Sequence, residues 1–84
     1  MTKIAKLHAW VLANPRSSIA FRDFERLLLA FGFVHVRTTG SHRQFRHPSV
    51  PYILSIQPRG NQAKSYQIGQ FLAICEAFEL ELSE

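Results

Sequence analysis

Phe33-Val34-His35-Val36-Arg37-Thr38, then Thr39-Gly40-Ser41, then His42-Arg43-Gln44-Phe45-Arg46-His47 is the stretch on which the fold turns. Its two outer segments are rich in β-branched and aromatic residues, and the polar piece between them carries a glycine. That combination predicts two antiparallel strands joined by a tight turn. Phe45 is the residue of the second strand suited to a core, and alternation sends Arg43 and His47 to its side. His42, Gln44 and Arg46 then share the opposite, exposed side.

Working outward, Pro48-Ser49-Val50-Pro51 makes the next turn and Tyr52-Ile53-Leu54-Ser55-Ile56-Gln57 a third strand, ended by Pro58-Arg59-Gly60-Asn61. A final helix is predicted from about Tyr66 to Phe78, with Ile68, Phe71, Leu72 and Cys75 on one face and Ser65 available as its cap. On the other side of the hairpin, Gly32 stops a helix running from about Phe21 to Phe31, whose stripe of Phe24, Leu27, Leu28 and Phe31 belongs to the core. Ser17-Ser18 offers a cap or turn before it. Earlier still, Ile4, Leu7, Val11 and Leu12 recur at helical spacing until Asn14-Pro15 stops them. The order is α-α-β-β-β-α. The economical packing is an α+β domain, a three-stranded antiparallel sheet with helices packed on one face. At 84 residues the chain is a single domain, 1–84, in which 1–15 form an additional N-terminal helix.

With 46% hydrophobic and 19% charged residues, a packed core needs no staple. Cys75 is the only cysteine, so neither a disulfide nor a zinc-thiolate site is expected, and a reducing, cytoplasmic setting follows. The spaced apolar residues after Met1 fit neither a signal peptide nor a membrane span. The net charge of +4 is unevenly spread. All ten Lys and Arg precede Glu76, and no Asp or Glu occurs from Arg26 through Cys75. Such a surface attracts polyanions, nucleic acid above all, although a solvated basic face is the plainer account of charge alone.

The absence of carboxylates from that central stretch argues against a Mg²⁺-dependent nuclease site, and alternation separates His42 from His47 as zinc ligands. No metal or cofactor is expected. RNA offers a metal-free route, because its 2′-hydroxyl attacks the adjacent phosphate once a base removes its proton. An imidazole suits that role, and general acid-base help is worth about 10² to 10⁴-fold. Gly40, without a Cβ, and Ser41, a hydrogen-bond donor, stand just before His42, where a substrate backbone can approach closely.

Thr39-Gly40-Ser41-His42, followed by Phe45 and Arg46-His47-Pro48 and preceded by a helix ending in Gly32-Phe33, resembles the HicA family of toxins from bacterial toxin-antitoxin pairs. The resemblance runs from roughly Phe21 to Leu82 and takes in Gln57-Pro58-Arg59-Gly60-Asn61 and Lys64, giving a toxin-like core of about 18–82. It implies a fold like a double-stranded RNA-binding domain, metal-independent cleavage of mRNA, and neutralisation by a HicB-like antitoxin. His42 is then the catalytic residue, with Gly40, Ser41, Arg37, Arg43, Arg46, His47, Arg59 and Lys64 binding RNA. Two positions depart from the family's pattern. Arg43 stands where a second histidine often follows the first, and Gln57-Pro58 stands where a Pro-His pair often ends the third strand. The alternatives are a non-catalytic RNA-binding module of the same shape and a protein-interaction subunit whose outer helices dock a partner.

Overall fold

A computed structural model describes residues 3–82 and has the expected α+β order. Helix α1 (Lys3–Ala13) ends where the Asn14 side chain donates to the Trp10 carbonyl, 2.8 Å, just before Pro15. Of its expected apolar stripe, Val11 is buried and Ile4 and Leu7 pack partly against the core, whereas Leu12 is exposed. Helix α2 (Phe21–Ala30) buries Phe24, Leu27 and Leu28 and is followed by buried Phe31. Its N-cap is Ala20, without a side-chain cap bond, so Ser17-Ser18 serve the connection and not the cap. Helix α3 (Ser65–Ala77) begins one residue earlier than expected. Lys64 is its N-cap and Ser65 its first residue, because the Lys64 carbonyl already accepts from the Gln67 and Ile68 amides.

Strands β1 (Val34–Thr39), β2 (His42–Arg46) and β3 (Leu54–Ile56) form an antiparallel sheet in that order. The β1–β2 turn is two residues long, with Gly40 at φ +60° and Ser41 at ordinary negative φ. Glycine at the first central position suits the turn to the twist of the paired strands. Phe45, Leu54 and Ile56 project from the sheet into a core shared with Phe24, Leu27, Leu28, Ile68 and Phe71. The helices therefore cover one face, and the other stays open.

Beyond β3 the chain does more than end a strand. Pro58–Arg59 (β4) and Gln62–Ala63 (β5) close a second small hairpin about Gly60-Asn61. It is anchored to the α1–α2 connection: the Ala63 amide donates to Ile19, 2.8 Å, and the Phe21 amide to Asn61, 2.9 Å.

Candidate functional site

Residues directly opposite one another in an antiparallel pair share a face, so the register sorts the candidate side chains. His35, Phe45 and Leu54 face the helices together, as do Thr38, Arg43 and Ile56. Thr39 with His42, Arg37 with Gln44 and Ser55, and Val34 with Arg46 lie on the open face. A bulge at Val36 makes this possible. With His35 turned toward Phe45, strict alternation puts Arg37 on the helix side as well; the one extra residue re-aims it to the open side. There its Nε donates to Gln44 Oε1, 3.1 Å. Arg37 is thus the diagonal neighbour of His42 across the hairpin, a placement that strand alternation in the sequence does not disclose.

His42 is exposed at the first position of β2, with no side-chain hydrogen bond or ion pair among the described residues. The turn beside it is braced from below. Gln57 Nε2 donates to Ser41 Oγ, 2.8 Å, and Gln57 Oε1 accepts from Lys64 Nζ, 3.3 Å. The Gln57 backbone N–H donates to Oε1 of buried Gln67, 3.1 Å. Because Ser41 Oγ acts as acceptor toward Gln57, its own proton is free for an incoming oxygen. Gln57 and Gln67 were not among the site residues expected from sequence. Their link crosses from the end of β3 to α3, and no local pattern announces it.

Two expected members of the RNA-binding set stand elsewhere. Arg43 lies on the helix side, where its Nη1 bonds Glu25 Oε2 at 2.6 Å and its guanidinium sits 5.7 Å from the centre of the Phe21 ring. His47 is half-buried against Phe33, ring centres 5.1 Å apart. Its Nε2 donates to the Phe31 carbonyl, 3.0 Å, and its Nδ1 accepts from the Ser49 amide, 3.0 Å. With both nitrogens engaged, His47 joins the α2–β1 corner to the β2–β3 turn. Neither side chain shares the open face with His42, as alternation from Phe45 had implied.

Arg46 is exposed at the far end of the open face. Arg59 and Lys64 lie outside the three-stranded sheet, Lys64 joined to the turn through Gln57 and Arg59 on the small β4–β5 hairpin. The two ion pairs among the described residues are Arg26–Asp23 and Arg43–Glu25. Asp23 and Glu25, the two carboxylates that precede Glu76, are therefore paired at α2, while exposed Arg37, Arg46 and Arg59 and half-buried Lys64 have no acidic partner among the described residues. No group of three His, Cys, Asp or Glu side chains gathers among the described residues, and no described helix is long and apolar enough to cross a membrane.

The family model for the HicA toxin of bacterial toxin-antitoxin matches residues 21–77, from the first residue of α2 to the last of α3. No curated protein and no solved structure matches the chain.

Proposed function

From the premise that this chain belongs to the HicA toxin family, we propose that it is a metal-independent endoribonuclease that cuts mRNA and is neutralised by a HicB-like antitoxin. The observation that carries this is the position of His42: an unencumbered imidazole on an open, carboxylate-free sheet face, directly after a braced Gly40-Ser41 turn. His42 removes the proton of a ribose 2′-hydroxyl, whose oxygen attacks the adjacent phosphorus. The 5′-oxygen leaves and takes up a proton, so one product carries a 2′,3′-cyclic phosphate and the other a 5′-hydroxyl. Charge on the phosphorane is offset by Arg37 from the neighbouring strand and by Lys64 behind the turn, with the Ser41 hydroxyl donating to a phosphate oxygen. The open space around Gly40 lets the backbone of the RNA come close.

Purified RNA incubated with the protein in excess chelator tests the proposal. Cleavage with cyclic-phosphate ends is expected, falling about 10² to 10⁴-fold in His42→Ala. Undiminished cleavage by a folded His42→Ala variant removes His42 from the mechanism.

One observation favours the second reading, a non-catalytic RNA-binding module. The open face offers His42 no companion histidine, since His47 has both nitrogens bonded on the other side. For such a module the same experiment yields salt-sensitive binding and no product.

A further inference from the structure

Arg59 and Lys64 meet at the far end of the Ser41–Gln57–Lys64 chain, in an open cleft of about 490 Å³ lined also by Arg16, Ser18, Gln62 and Tyr66. Its three cations come from three segments: Arg16 from the connection after α1, Arg59 from β4 and Lys64 from the start of α3. No carboxylate lines the cleft, and none of the three has an acidic partner among the described residues. Converging positive charges on a concave surface raise the local potential and favour an anion between them.

A second observation specifies the anion. Tyr66, at the rim, is 67% exposed, the highest value among the large apolar and aromatic side chains, so core packing does not account for it. Lys64 Nζ lies 5.9 Å from the centre of its ring. An exposed ring beside cations is the arrangement on which unpaired bases stack, whereas a duplex keeps its bases away from such a ring.

We propose that this cleft is a second subsite for single-stranded RNA, taking a phosphate between Arg16, Arg59 and Lys64 and stacking the adjoining base on Tyr66. The proposal rests on the RNA-directed reading of the His42 site. The hydrogen bonds through Gln57 join Lys64 of the cleft to Ser41 of the turn, and the proposed strand spans that link to reach His42. Arg16 lies before residues 21–77, and the N-terminal segment thereby contributes a ligand group that the matched stretch lacks.

The test is fluorescence anisotropy with a labelled single-stranded 2′-O-methyl RNA, which lacks the attacking hydroxyl, across a range of salt concentrations. The full chain is compared with Arg16→Ala, Tyr66→Ala and Tyr66→Phe. Tyr66→Ala is expected to weaken binding about ten-fold, while Tyr66→Phe keeps the stacking surface and wild-type affinity. Arg16→Ala is expected to weaken binding and to lower the slope of log affinity against log salt by about 0.7. Wild-type affinity and slope in both alanine variants overturn the subsite and leave the His42 proposal standing. Failure of the wild type to bind the strand overturns both. Weakened binding by the variants, together with no cleavage of natural RNA by the wild type, keeps the subsite and removes the nuclease.

Discussion

His47 shows how a residue that is chemically suited to catalysis is recruited for structure. Gly32, at φ +94°, lets the chain reverse after α2, and a Cβ there stands 3.0 Å from His47 Nε2. Gly32→Ala is therefore expected to combine backbone strain with displacement of the His47–Phe31 bond, at a cost of about 1 to 3 kcal/mol. Gly40 also has positive φ, +60°, but nothing lies within 4 Å of its missing Cβ. Gly40→Ala should carry the backbone term alone, and urea denaturation of the two variants should show Gly32→Ala as the less stable. Cys75 has no comparable chemistry: burial pushes its thiol up to about 11, so little thiolate forms at neutral pH.

At the scale of elements, α1 is docked on α2 by buried Val11 and by His8, whose ring meets Phe31 edge-on at 4.9 Å. Burial holds His8 below the usual histidine range. The unfolded chain therefore binds the His8 proton more readily than the folded one. Stability is full above the ordinary value of about 6.5 and falls as acid passes through and below it. Thermal melts at pH 7 and pH 5 should show a smaller drop in melting temperature for His8→Leu than for wild type. An equal drop assigns the acid sensitivity to other groups. The β4–β5 hairpin ties the α1–α2 connection to the start of α3, and that tie brings Arg16 within the same cleft as Lys64.

At the scale of the molecule, the radius of gyration of 11.9 Å equals the roughly 12 Å expected for a compact chain of this length, so α1 is part of the body. Its centre is Phe71, edge-on to Phe24, Phe31 and Phe33 at 5.8, 5.3 and 6.0 Å. Those rings come from α2, the α2–β1 corner and α3, so one side chain joins three parts of the fold. Phe71→Ala is expected to cost about 3 to 5 kcal/mol. Set against a total of about 5 to 15 kcal/mol for a domain, that loss is large. Chemical denaturation should place the variant near the threshold of folding, whereas Tyr66→Ala, on the surface, should leave the midpoint close to wild type.

Unlike the β4–β5 hairpin, the order of the three helices and of the three strands of the main sheet, the hairpin about Gly40-Ser41, the burial of Phe45 and the exposure of His42 are all legible in the sequence. Each follows from a local period, 3.6 or 2, or from one turn residue, and such signals survive without knowledge of the partner segments. Which cations stand near His42 emerges only from the packing of separate elements. The Val36 bulge turned Arg37 outward, the Glu25 carboxylate engaged Arg43 on the side where alternation already put it, and Gln57 linked Ser41 to Lys64. These are pairings between residues up to 18 positions apart. They depend on where packing brings separate elements together, and nothing in the local composition of either partner specifies the other.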